Sequence, residues 1–116
     1  MNKKFNIFNI AQVPFEEIHN TPGSRQTLAT KNDLITNNID ALTKGTLKPG
    51  DKWDWHKHEM YDEIGIVIKG AGKFFWKEEV VEYKPEDVII IPANSLHKFE
   101  AGNDVPSEFY FIRIKI

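Results

Sequence analysis

Cysteine is absent from this chain of 116 residues. That excludes disulfide scaffolds, thiolate nucleophiles, Cys-ligated zinc and iron–sulfur clusters. Long apolar runs are missing too. The longest is Val88-Ile-Ile-Ile91, far short of the roughly 20 residues that span a bilayer as a helix. There is no excess of one charge: 15 Lys and Arg stand against 17 Asp and Glu, a formal net charge of −2. No basic block or stripe occurs, so no nucleic-acid partner is expected. The start, Met1 to Ile10, carries two lysines and some apolar residues interrupted by asparagines. No small-residue cleavage site follows, so a signal peptide is not expected. The expectation is a cytoplasmic protein with no membrane partner. Low-complexity segments, repeats and linkers are also lacking. Length alone suggests a single domain over 1–116, large enough to bury a core without staples.

The chain is rich in short β signals. The first half is polar and broken by Pro14, the run His19 to Ser24, and Lys31-Asn-Asp. A turn of helix is possible near Ala11 to Ile18. Short strands fit Arg25 to Thr30 and Ile39 to Leu47. Lys48-Pro-Gly-Asp51 is a turn signal. Strands then follow at Lys52 to His58, Glu63 to Lys69, Lys73 to Lys77, Glu79 to Tyr83, Asp87 to Ile91, Leu96 to Glu100 and Glu108 to Ile116. Turns at Gly70-Ala-Gly72 and Lys84-Pro-Glu-Asp87 separate them. About ten residues per strand, with β-branched and aromatic residues dominant, indicates an all-β sandwich or barrel. Two strands carry apolar residues on both faces. Ile64, Ile66 and Ile68 oppose Glu63, Gly65 and Val67; Tyr110, Ile112, Ile114 and Ile116 oppose Phe109 and Phe111. An outer face of that kind calls for a cover, either the N-terminal segment or a second copy, and a homodimer is predicted.

Histidine is scarce, with four in the chain, and three stand in a meaningful spacing. On a strand His56 and His58 point to the same side, with Cα atoms roughly 6.5 Å apart. A short turn brings Glu63 alongside, and His97 arrives from a distant strand. Imidazole and carboxylate donors suit a divalent transition metal, whether Fe, Mn, Ni, Co, Cu or Zn. Four protein ligands leave about two open positions on an octahedral ion.

These residues resemble the signature of a small single-domain cupin. The family's first motif, G-x5-H-x-H-x(3,4)-E-x6-G, is matched at Gly50, His56, His58, Glu63 and Gly70. The second, G-x5-P-x-G-x2-H, is matched at Pro92 and His97, with Glu86 and Asn94 where its glycines belong. Asn readily visits the left-handed region, so the Asn94 turn is expected to survive. The Lys84-Pro85 turn is expected to form without Gly. The resemblance covers about residues 47–100, with residues 1–24 as an N-terminal arm at a possible dimer contact. It implies a cupin-type jelly-roll β-barrel with His56, His58, Glu63 and His97 as metal ligands.

Around that site, Lys52 and Asp54 share the parity of the histidine pair, which would turn both inward. Asp54 is then a candidate proton carrier beside the metal. Tyr61 is a second catalytic candidate, lining the pocket with Phe99. Arg25 reads as a surface charge, or else as a clamp for an anionic substrate. Trp53, Trp55 and Trp76 read as core or subunit contact. His19 sits in a Pro/Gly loop and reads as a loop residue. The function implied is a metal-dependent enzyme on a small carbonyl- or carboxylate-bearing metabolite. A dioxygenase leads, with isomerase, lyase and cyclase chemistry open. The alternative is a non-catalytic cupin that binds a small molecule.

Overall fold

Ten strands make up a computed structural model that describes residues 3–116. They are β1 (Glu16–Ile18), β2 (Thr21–Thr30), β3 (Ile39–Leu47), β4 (Lys52–His56), β5 (Tyr61–Lys69), β6 (Gly72–Trp76), β7 (Glu79–Tyr83), β8 (Val88–Ile91), β9 (His97–Ala101) and β10 (Ser107–Lys115). They form two antiparallel sheets. The larger runs β1-β2-β3-β10-β5-β8, and the smaller runs β4-β9-β6-β7. Alternation along β3 and β10 sends every second residue to the interior, the pattern of a sheet packed on one face. Among the described residues no helix is long and apolar enough to cross a membrane.

The core lies between the sheets. Trp53, Phe99, Phe109 and Phe111 fill its centre with Leu47, Val67, Tyr83 and Ile91 around them. The aromatic rings meet mostly edge to face at centroid separations of 5.0–6.5 Å, as for Trp53 on Phe99 at 5.4 Å, a favoured arrangement for ring quadrupoles. Glycine makes the room. A Cβ at Gly45 would sit 2.5 Å from the Trp53 ring, and one at Gly65 2.7 Å from the Phe111 ring. The polar tips of buried rings are paired, since an orphaned donor would be costly. Trp53 Nε1 donates to Ser24 Oγ at 3.0 Å, and the Tyr83 hydroxyl lies 2.8 Å from Ser107 Oγ.

Several boundaries differ from the sequence expectation. The possible helical turn is a 3-10 helix at Ile10–Gln12, followed by β1. The strand expected from Arg25 begins at Thr21, because a two-residue turn at His19-Asn20 pairs Ile18 with Thr21. The N-terminal arm is correspondingly shorter, since β1 and the start of β2 already belong to the larger sheet. Its first two residues lie outside those described. The Gln26 side chain anchors it, donating to the carbonyls of Ile10 and Val13. Both second-motif departures occupy left-handed backbone: Glu86 has φ 75° and Asn94 φ 66°. The Asn94 turn survives as expected, and the Lys84-Pro85 turn forms with a non-glycine residue in a conformation that favours glycine.

Candidate metal centre

One end of the barrel gathers all four histidines. β4 delivers His56, and the chain just beyond it delivers His58. Glu63 enters from β5 and His97 from the first position of β9. The Asn94 turn fixes this end, because Asn94 N–H donates to the His58 carbonyl at 2.8 Å. A left-handed residue there lets the loop after β8 fold back over the histidine segment. His19, His56, His58 and Glu63 open onto a cleft of about 30 Å³, with Trp53, Phe99 and Phe111 as its apolar floor. That volume holds an ion with roughly one or two waters.

The imidazoles are oriented by the bonds their Nδ1 atoms make. His56 Nδ1–H donates to the Asp54 carbonyl at 2.6 Å. His97 Nδ1–H donates to the Ser95 carbonyl at 2.7 Å. His58 Nδ1 lies 3.0 Å from the Tyr61 hydroxyl; with Nδ1 protonated that hydroxyl accepts. In each ring Nε2 then keeps its lone pair. Metal-ligating histidines are ordinarily held in this way. His97 is completely buried, and its Nε2 has no hydrogen-bond partner. A buried acceptor left unpaired costs on the order of 1–3 kcal/mol, so this atom fits a bound ion. His58 Nε2 and Glu63 Oε1 are 3.8 Å apart, too far for a hydrogen bond and close enough to share an ion.

Charge favours the same use. Burial pushes His58 down to about 3 and His97 down to about 4, and it lowers His56. All three are neutral at pH 7 and able to donate a lone pair. Burial raises the Glu63 carboxyl, while the adjacent Arg113 guanidinium pulls it back. Arg113 Nε donates to Glu63 Oε2 at 3.2 Å and lies over the Tyr61 ring. Sequence reading missed Arg113; the available signal was its place on the β10 face that also carries Phe109 and Phe111.

The four expected ligands fall in two overlapping triads that share His58, with His19 as a fifth member. Donor atoms of His58, Glu63 and His97 lie within 4.8 Å of one another, and so do those of His56, His58 and His19. His19 was read as a loop residue, yet its ring stacks on His56 at 3.6 Å. Asp54 does not join them. The expectation that it faces inward fails because β4 carries a bulge: Trp53 pairs with Phe99, and His56 with His97. The extra residue shifts the alternation, so Trp53 and His56 point inward and Asp54 points out, with 61% of its side chain exposed beside Lys52. Tyr61 stands behind His58 instead of lining the cleft, while Phe99 does line it. Arg25 borders the cleft and is paired with Glu16 at 3.1 Å.

A family model described as a cupin domain matches residues 44–113. A 5-nitrosalicylic acid 1,2-dioxygenase of a Bradyrhizobium species is 30% identical over 66 residues, covering 57% of this chain and 31% of that protein. The chain spans about half or less of the length of the curated relatives it matches. Among solved structures, a predicted oxalate decarboxylase of Thermotoga maritima aligns with TM-score 0.84 at 24% identity, over 96% of this chain and all of that one. The polyketide cyclase RemF of Streptomyces resistomycificus aligns with TM-score 0.80 at 20% identity, over 96% and 80%. At these identities the structural likeness is one of fold.

Proposed function

This chain belongs to the cupin family, and on that premise we propose that it is a metal-dependent enzyme acting on a small carboxylate-bearing metabolite, with dioxygenase chemistry as the leading class. The observation that carries this reading is the buried, unpartnered Nε2 of His97, converging with His58 and Glu63. In this reading His56, His58, Glu63 and His97 hold one divalent transition ion. Such an ion supplies Lewis acidity and open coordination positions, and a redox-active one also supplies electrons. The chain supplies orientation and a dry wall. Asp54, Ser95 and Tyr61 fix the imidazoles, Arg113 holds the Glu63 carboxyl and opposes the rise that burial gives its pKa, and Trp53, Phe99 and Phe111 exclude water beneath. The Arg25 and Arg113 guanidiniums at the cleft favour an anionic substrate. The dioxygenase relative is named for a carboxylic acid, which supports the substrate class and the subclass alike.

The proton carriers differ from the sequence expectation. With Asp54 turned to solvent, the cleft is lined by no carboxylate other than Glu63, and His19 is the imidazole there outside the four expected ligands. A non-catalytic ligand-binding role is the second reading, favoured by the engagement of Glu63 and both arginines in ion pairs. Oxygen consumption by untagged, metal-analysed protein against a panel of small aromatic and aliphatic acids separates the two. Uptake that disappears in His58→Ala supports the enzyme. Metal binding and thermal stabilisation by an acid, with no turnover of any panel member, would assign the chain to the binding role. Protein that takes up no divalent ion would overturn the metal-centred reading.

A further inference from the structure

His19 lies outside both family motifs, and its surroundings give it more than a turn residue's work. β1 and β2 are joined by the two-residue loop His19-Asn20, with φ 52° and 62°. Positive φ at both loop positions is what a type I′ hairpin turn demands, and Asn-Gly is the pair that meets it with least strain. Histidine is better tolerated there than most side chains, but it is not the residue the turn itself would select. The turn aims the side chain across the cleft mouth. Its ring lies 3.6 Å from that of His56 and 5.6 Å from that of His58. Among the described residues, no protein group hydrogen-bonds its ring nitrogens. Its donor atom is within 4.8 Å of those of His56 and His58. Three atoms no farther apart than that lie at most about 2.8 Å from their common centre, against about 2.1 Å for a metal–imidazole bond. Side-chain adjustments of less than an ångström close the difference.

We propose that His19 is an additional metal ligand, carried by the β1–β2 turn to the cleft mouth, so that the N-terminal hairpin is part of the metal centre. This rests on the metal-centred reading above. One consequence concerns the substrate. A fifth protein ligand leaves about one open position on an octahedral ion, so a chelating carboxylate must displace His19 to bind through two atoms.

The test uses the full untagged chain and two variants. His19→Asn keeps a residue that accepts the left-handed turn and removes the imidazole. His19→Phe keeps a flat ring to stack on His56 and removes the donor. Affinity for Co(II) and Ni(II) is measured by competition with a chelator, and Cu(II) loading is followed by electron paramagnetic resonance. Melting of each apo variant confirms folding. The expected result is at least a ten-fold loss of affinity in both variants and one fewer nitrogen in the copper hyperfine pattern. Unchanged affinity and nitrogen count in either folded variant would overturn the proposal, leaving His19 as a stacking residue. Wild-type protein that binds none of the three ions would instead sink the metal-centred reading and this proposal with it. The two failures are therefore distinguishable.

Discussion

Glu86 offers a quantitative check on the backbone. It holds φ 75° in the turn Lys84-Pro85-Glu86-Asp87, where Pro at the second position and positive φ at the third describe a type II turn. The turn cannot relax, because its neighbours hold it on several sides. Glu86 N–H donates to the Val67 carbonyl at 2.8 Å, and Val67 N–H donates to the Asp87 carbonyl at 2.9 Å. The Asp87 carboxylate also accepts from Lys84 N–H at 3.0 Å. A non-glycine residue in this region costs roughly 1–2 kcal/mol. Glycine removes that cost but loses about 0.5–1 kcal/mol more chain entropy on folding. Glu86→Gly should therefore stabilise the protein by about 0.5–1 kcal/mol. For a domain of this size that raises Tm by roughly 2–6 °C. Thermal and urea unfolding of the apo protein measure it. Glu86→Ala keeps the backbone strain and removes the charge, so it should gain nothing. Asn94→Gly should gain less than Glu86→Gly, since Asn tolerates the left-handed region. Equal stability of Glu86→Gly and Glu86→Ala would refute the reasoning, because the backbone would then carry no strain that glycine relieves.

Acid should destabilise the metal-free protein. The unfolded chain protonates its imidazoles below about 6.5, whereas burial holds His19 and His58 near 3 and His97 near 4. The folded state thus binds fewer protons across that window, and stability present above 6.5 is lost as pH falls towards 4. Glu63, raised by burial, works in the opposite sense as one group against several. Urea midpoints in chelator at pH 7.5 and pH 5 should differ, with the lower value at pH 5; equal midpoints would contradict the burial of these rings. Tyr83→Phe should cost on the order of 1 kcal/mol, because Ser107 loses its buried partner; an unchanged urea midpoint would argue against that bond. Ile66, Ile68, Val88 and Ile90 leave an exposed apolar outer face on β5 and β8. We propose that a second copy covers it, so light scattering should give twice the 13.4 kDa chain mass at micromolar concentration, reduced by Ile90→Lys. A monomer at that concentration would dismiss the pairing.

Strands β2 to β10 were legible because their residues alternate or are β-branched, and the ligands because their spacing is rigid once strands are assumed; β1 was hidden in the expected helical turn. His19 was not legible, since its side chain reaches the site only once the β1–β2 hairpin is docked on β3 in the larger sheet, and that docking depends on contacts distant in sequence. The local signal was present: His and Asn stand together between Ile18 and Thr21-Pro-Gly, and both are residues that accept positive φ. Arg113 was hidden by distance in sequence from Glu63, although the β10–β5 register sets them opposite one another.

The failure at Asp54 has a different cause, and it explains how β4 serves two purposes. Strict alternation would set Trp53 and His56 on opposite faces, since they are three residues apart. Either the tryptophan would leave the core or the histidine would leave the cleft. A bulge inserts one residue into a strand and leaves its partner strand regular. Here it lies between the Trp53–Phe99 and His56–His97 pairs. Both side chains can then face inward. Trp53 packs on Phe99 and closes the floor, and His56 stands above it beside His97 at a ring separation of 4.2 Å. Asp54, within the bulged stretch, contributes its backbone in place of its carboxylate: its carbonyl accepts the His56 Nδ1–H. The same shift that removes an acid from the cleft therefore supplies the acceptor that leaves His56 Nε2 free to ligate.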